Sequence, residues 1–384
     1  MPVYLNTNPT GNERQPCTNG LSAKPSAECF ELSSKSLTIG LINNMSDGAL
    51  EATERQFLSV LDSASEGISI QLSLYSLPGV PRSESGARHV SQSYSSTENL
   101  LDMHLDGLIV TGREPLTPNL TDEPYWESFT RVLDWARDNT YSAVWSCLAA
   151  HAALLHMDGI RRIKSNKKHF GVFEYARQAN HPLLAGAPSR FKLPHSRWNG
   201  IPEDELTSCG YSILTRAADV GVDTFIKQHN SLFVFFQGHP EYESNTLLLE
   251  YRRDVGRYLR GETNTFPPMP QGYFDRDTVT ALTVLQQESQ IRPREELLAE
   301  VFRILENVSV ESTWRSTTTC IYRNWLEYIC AQKQQQLKDN NIAVKAHGLD
   351  GPTPHLAIAT DVSRSAVYAT NLSQARHRLL RATR

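Results

Sequence analysis

"YSAVWSCLAAHAALLHM", Tyr141 to Met157, decides how the rest of the chain is read. Tyr141 to Ser146 is a short apolar run without helical periodicity, the mark of a buried strand. Leu148 to Met157 is rich in alanine and leucine, strong helix formers. No glycine or proline separates the two, so the strand runs straight into the helix with Cys147 at the junction. That is the context of a nucleophile elbow, the thiol counterpart of the tight turn in α/β hydrolases. The positive end of a helix dipole favours a thiolate over a thiol. Ala149 and Ala150 let the turn stay tight, and the Leu148 amide points toward a reacting oxyanion. Free cysteine is also among the most buried residue types, so Cys147 alone could equally be structural.

Working outward, "SLTIGLINN" (Ser36 to Asn44), "GISIQLSLYSL" (Gly67 to Leu77) and "DGLIVTGRE" (Asp106 to Glu114, the strand ending at Gly112) read as three more strands. Helices alternate with them. Leu50, Phe57, Leu58 and Leu61 share one helical face, with Ser46 or Asp47 as cap. Ser96 or Thr97 caps an amphipathic turn, and Tyr125 to Asn139 is an amphipathic helix. This alternation predicts an α/β fold with a mostly parallel sheet covered by helices on both faces.

Past Ile160 the pattern is mixed until "SLFVFFQGHPE" returns to a strand. Glu243 to Gly261 reads as a helix, and Pro267, Pro268 and Pro270 break the chain. Thr278 to Asn307 is helical on both sides of Pro293. Trp314 to Ala331 is a helix or strand–helix segment anchored by Trp325 and Tyr328. The predicted organisation is a loose arm over 1–36, a main domain over 37–330 with a helical insertion at about 272–309, and a polar extension over 331–384.

The 384 residues carry a net charge of -4, with 40% hydrophobic and 21% charged residues, an ordinary globular composition. Lys167 and Lys168 form the strongest basic cluster, too small for nucleic acid or an anionic membrane. No apolar run approaches the ~20 residues of a membrane helix, and the N-terminus lacks the apolar core of a secretory signal. The six cysteines are scattered without a C-x-x-C pair. Neither a zinc site nor a disulfide framework is expected, and a cytoplasmic location is.

In open α/β sheets chemistry collects at the carboxyl ends of strands. "VFFQGHPEYES", Val234 to Ser244, ends an apolar strand in His239 and Glu241. A thiol nucleophile needs a base, and the base needs an orienting group. His239 and Glu241 supply both, although a strand-capping histidine beside a solvated glutamate is the plainer reading of that motif alone.

"VWSCLAAHAAL" and "GHPEYE" together resemble the class I glutamine amidotransferase-like fold. With "INNM", "ATERQFL", "DGLIVTG", "KHFGVFEY", "LPHSRW", "RRDV" and "WRS…NWLEYI" in order over roughly residues 37 to 330, the chain resembles the homoserine O-succinyltransferase and O-acetyltransferase family. The resemblance implies acyl transfer from acyl-CoA, as co-substrate and without a further cofactor, to the homoserine hydroxyl. Cys147 would be acylated, His239 would act as base and Glu241 would hold the imidazole. The amides of Leu148 and Arg113 would form the oxyanion hole. Arg253, Lys168, Ser196 and Arg197 match the family's substrate-binding positions. A homodimer is implied, with small-molecule substrates as the only other partners.

The chain departs from the family's pattern at named places. Leu148 follows the cysteine where enterobacterial-type enzymes carry Trp, and His151 stands where Gln is usual. "SDGALEAT" lacks the family's paired lysines. Leu116 falls where Gly goes with succinyl-CoA and Glu with acetyl-CoA, and its bulk points to an acetyl donor. Serine as acceptor, an amidotransferase-like cysteine hydrolase and a non-catalytic binding protein are the competing readings.

Overall fold

The computed structural model describes residues 3–6, 35–289, 291–292 and 294–347. The chain divides into two compact units, 1–336 and 337–384. Of the second, only 337–347 are described, and they are helical.

The strands are β1 (Val3–Asn6), β2 (Ser36–Ile42), β3 (Ser69–Tyr75), β4 (Gly107–Thr111), β5 (Ser142–Ser146), β6 (Ile163–Arg177), β7 (Arg190–Gly200), β8 (Ser212–Ile213), β9 (Thr215–Ala217), β10 (Gly221–Val222), β11 (Thr224–Gln228) and β12 (Leu232–Phe236). Eight of them form the main sheet in the order β1-β3-β2-β4-β5-β12-β11-β8. The six strands from β1 to β12 in that order pair in parallel, and β11 and β8 close the far edge antiparallel. The expected mostly parallel α/β sheet is therefore the observed fold.

The central strands are apolar on both faces because both faces are covered. Ile109, Val144, Val234 and Phe236 point into one core with Phe57, Val60 and Leu61 of helix Asp47–Ala64 and with Trp325 and Ile329 of helix Arg315–His347. Leu108, Val110, Trp145, Phe233 and Phe235 point the other way, against Phe129 and Leu133 of helix Trp126–Asn139 and Ala149 and Ala153 of helix Leu148–Asp158. Small residues allow the close approaches: a Cβ at Gly107 would sit 2.9 Å from the Ile329 Cδ1.

The mixed region past Ile160 is a second, antiparallel sheet, ordered β10-β9-β6-β7. Its long β6–β7 hairpin places Phe170 opposite Ser196 and Gly171 opposite His195. Gly171 has φ 140°, and a Cβ there would lie 2.2 Å from the Gln271 carbonyl oxygen, which accepts from the Val172 amide. Only glycine tolerates both that dihedral and that approach.

Two expectations change. Val3–Asn6 is not loose: it pairs with β3, and Val3 is buried in the main core. Four residues were too few to show a period. The arm's residues 1–2 and 7–34 lie outside the described residues. Helix Arg315–His347 runs through the boundary expected at 331, because "QKQQQLK" is built of good helix formers despite its polarity. The insertion is two helices, Arg276–Glu288 and Arg294–Glu306, packed through Leu282, Leu285, Leu297 and Val301 against Leu247, Tyr251 and Val255 of helix Thr246–Leu259. The expected break at Pro293 lies outside the described residues.

Candidate active site

Cys147 is the one non-glycine residue with positive φ among the described residues, at φ 51° and ψ -111°. Such a conformation costs on the order of 1–3 kcal/mol. The surroundings hold it: the Cys147 amide donates to the Phe236 carbonyl of β12 at 2.7 Å, and its own carbonyl accepts from Ala150 at 3.0 Å in the first helical turn. Strand, strained junction and helix are thus in the arrangement read from Tyr141 to Met157. The loop after β4 closes on the same point. A Cβ at Gly112 would fall 2.5 Å from both the Ala149 nitrogen and the Leu148 Cβ, so only glycine lets the chain leading to Arg113 pass against the helix start.

β12 neighbours β5, so its end delivers His239 to Cys147. His239 is 8% exposed and Glu241 4%, and His239 Nδ1 lies 2.8 Å from Glu241 Oε1. Burial pushes the His239 imidazole down, but the charges and hydrogen bonds of Cys147 and Glu241 outweigh it and hold its pKa well above the ordinary histidine value. The Tyr242 ring stacks on the imidazole, centroids 4.3 Å apart and 13° between planes. The turn is tied down by Trp314 Nε1, which donates to the Tyr242 carbonyl at 2.8 Å, and by Thr318 Oγ1, which donates to the Pro240 carbonyl at 3.0 Å.

Beside this triad lies a polar group. Glu250 accepts from the Tyr242 hydroxyl at 2.7 Å and from Ser196 Oγ at 2.6 Å. Arg253 Nε donates to Asp254 Oδ1 at 2.8 Å, and Lys168 Nζ is 3.8 Å from Asp254 Oδ2. Burial works against the Arg253 charge, but Asp254, Glu250 and Glu114 raise its pKa. The Arg253 side chain remains 59% exposed, free to meet a ligand. Tyr242, Glu250 and Asp254 escaped the sequence reading. Glu250, Arg253 and Asp254 stand at i, i+3 and i+4 of one helix, a spacing that puts them on one face and could have revealed them.

The sequence model of the family described as "Homoserine O-succinyltransferase" matches residues 23–336. This chain belongs to the homoserine O-succinyltransferase family. A homoserine O-succinyltransferase from Rhodopseudomonas palustris is 42% identical over 290 residues, 76% of this chain and 87% of the relative. One from Bradyrhizobium japonicum is 41% identical over 294 residues, 76% of this chain and 90% of the relative. One from Methylococcus capsulatus is 34% identical over 296 residues, 76% of this chain and 83% of the relative. A glutamine amidotransferase from Methylobacillus flagellatus is similar in structure at a TM-score of 0.43 and 15% identity, covering 77% of this chain and 96% of that chain.

As a member of the homoserine O-succinyltransferase family the chain is an acyltransferase, and its departures can be located. His151 is 2% exposed, with Nε2 3.2 Å from Gln237 Oε1. Burial, with Arg197 nearby, pushes its pKa down to about 3, so it is a neutral hydrogen-bonding group behind the elbow. Leu148 lines an apolar cavity with Thr111, Gly112, Tyr125, Trp126 and Ala152. Leu116 is not part of that lining, and its side chain is 54% exposed. The loop is held instead by Glu123, whose Oε1 accepts from the amides of Leu116 and Thr117 at 2.7 and 2.8 Å.

Arg197 differs from its expected placement. It is 5% exposed, and its Nε, Nη1 and Nη2 donate to His195 Nδ1 and the Asn199 and Val220 carbonyls at 3.2, 2.6 and 2.8 Å. A guanidinium committed on three nitrogens beneath the surface supports the site from below and has little left to offer a substrate. No helix of the described residues is long and apolar enough to cross a membrane.

Proposed function

We propose that the chain transfers a succinyl group from succinyl-CoA to the hydroxyl of L-homoserine, the acylation that commits homoserine to methionine biosynthesis, through an acyl-enzyme on Cys147. The contact of Cys147 and Glu241 with the two sides of the buried His239 carries this reading. Cys147 Sγ attacks the thioester carbonyl, its proton passes to His239, and the CoA thiolate leaves with that proton. His239 then takes the proton of the homoserine hydroxyl, which attacks the acyl-enzyme and releases the Cys147 thiol. Glu241 holds the imidazole in the tautomer that faces the sulfur. The amides of Leu148 and Arg113, brought close by the packing at Gly112, are the assigned oxyanion donors.

Arg253 is the assigned partner of the homoserine carboxylate, with Ser196 and Lys168 beside it, because a carboxylate is best held by a guanidinium. The relatives' names and the exposed Leu116, which leaves the cavity clear, support succinyl. The bulk of Leu116, neither Gly nor Glu, favours acetyl as the second reading. No cofactor beyond the acyl-CoA co-substrate is required by this chemistry. The reading carries with it a cytoplasmic enzyme, where acyl-CoA is available, and a homodimer, which sedimentation checks.

Incubation with succinyl-CoA or acetyl-CoA alone should leave one succinyl group, and at most a trace of acetyl, on Cys147 by mass spectrometry. Homoserine should then discharge it faster than serine, a methylene shorter and so worth ~1–3 kcal/mol. An adduct on another cysteine, or ammonia released from glutamine instead, would end the proposal. Arg253→Ala should raise KM for homoserine by on the order of tenfold or more, with a smaller effect on kcat.

A further inference from the structure

Directly beneath the His239 turn lies a second set of buried ionisable residues that the reaction above does not use. Asp223 and His195 are both fully buried, with His195 Nε2 3.4 Å from Asp223 Oδ1. Arg197 Nε donates to His195 Nδ1 at 3.2 Å. An arginine cannot accept, so Nδ1 must be the bare nitrogen and the proton of His195 sits on Nε2, facing Asp223. Asp223 accepts from Thr224 Oγ1 at 2.7 Å and, on Oδ1, from the Gly238 amide at 2.6 Å. Gly238 immediately precedes His239. A Cβ at Gly238 would fall 2.7 Å from His195 Cε1 and Nε2, so turn and imidazole are in direct contact. The next amide, that of His239, donates to the Pro194 carbonyl at 2.9 Å, adjacent to His195.

We propose that Asp223 is a positioning residue for the acyl transfer: its carboxylate, held by the donors of Gly238 and Thr224 and faced by His195, anchors the His239 turn and stabilises the His239 imidazolium from below. This rests on the proposed role of His239 as base. The ordering Arg197 to His195 to Asp223 places the guanidinium charge one imidazole away from the carboxylate. Burial and the facing Arg197 hold His195 well below its usual pKa, hence neutral. Burial raises the Asp223 pKa, against the donors of Thr224 and Gly238 and the charges of Arg197 and His239. Among the described residues, the titratable groups about His239 include Cys147 from the elbow, Glu241 and the stacked Tyr242 from its own turn, and His195 and Asp223 from below, with Arg197 behind them on His195. Tyr322 of helix Arg315–His347 lies against Glu241. The two carboxylates, Glu241 and Asp223, sit in different places relative to the ring. Glu241 touches Nδ1, whereas Asp223 acts on the ring through space and through the Gly238 amide.

The test is Asp223→Asn in the full chain, with the His239 ring followed by NMR of histidine-labelled protein and assigned by its absence in His239→Asn. Asn keeps an oxygen to accept from Gly238 and removes the charge. The imidazolium of His239 should deprotonate at a pH lower by about one unit, a tenfold change in the equilibrium. kcat should fall with KM for both substrates little changed. The titration needs no substrate, so it succeeds or fails independently of the proposed reaction. An unmoved His239 titration in a folded Asp223→Asn protein overturns the proposal, even if kcat falls. If that variant does not fold, Thr224→Val removes one donor from Asp223 at nearly constant volume. With the carboxylate still charged and one donor fewer to offset it, the same transition should move the other way, to higher pH, by a few tenths of a unit, and no movement again overturns the proposal.

Discussion

His239 and His151 are both buried, both next to the elbow, and driven in opposite directions. His239 is held well above the ordinary histidine pKa and His151 is pushed down to about 3. Burial alone lowers any histidine, because it penalises the cation. His239 escapes because two anionic or anion-forming groups, Cys147 and Glu241, bond its ring. Among the described residues His151 bonds the neutral amide of Gln237, with Arg197 repelling its charge. Burial therefore does not decide whether a histidine is reactive; the groups touching its two nitrogens do.

The sharpest way to break that contrast is Cys147→Ser. A hydroxyl does not ionise near neutral pH, so the thiolate nucleophile is lost. Turnover should fall by on the order of a thousandfold or more with the fold intact by circular dichroism. A variant that kept substantial activity would take Cys147 out of the reaction.

Glu241→Gln should act next most strongly. It keeps a hydrogen-bonding oxygen for Nδ1 but removes the charge, so the His239 transition should move to lower pH and kcat should drop by on the order of a hundredfold. An unshifted transition would mean that the Glu241 charge does not hold the imidazolium.

The smallest effect belongs to His151, and it appears in stability rather than rate. Its folded pKa lies below the ordinary ~6.5, so the unfolded chain binds the proton first. Its contribution is fully present above that ordinary value and is lost as pH falls toward about 3. The expected slope is roughly 1.4 kcal/mol per pH unit. His151→Gln, able to keep a bond to Gln237, should flatten urea-unfolding stability between about pH 6 and pH 4 by one proton's worth. His195 contributes in the same direction, so the variant retains part of the slope.

Much of the fold could be read locally. The strand–Cys147–helix junction needed only the run from Tyr141 to Leu154, because strand and helix periods and the absence of a breaker are properties of neighbours in sequence. The apolar strands Leu37–Ile42, Leu108–Val110 and Leu232–Phe236 announced a sheet buried on both faces for the same reason. His239 and Glu241 were legible as a pair because they are two residues apart. What sequence could not fix was which distant groups meet. Only the order of strands puts β12 beside β5 and so His239 beside Cys147. Only the β6–β7 hairpin sets Ser196 against Glu250 and sinks Arg197, which its polarity alone would have put at the surface, onto His195. Short edge pairing, as at Val3–Asn6, and the placement of Asp223 under Gly238 depend likewise on partners far along the chain. Residue types and spacings determine which chemistry the chain can attempt. Burial, charge and hydrogen bonds in the folded state decide which histidine carries a proton, because those energies depend on distances that no local stretch of sequence contains.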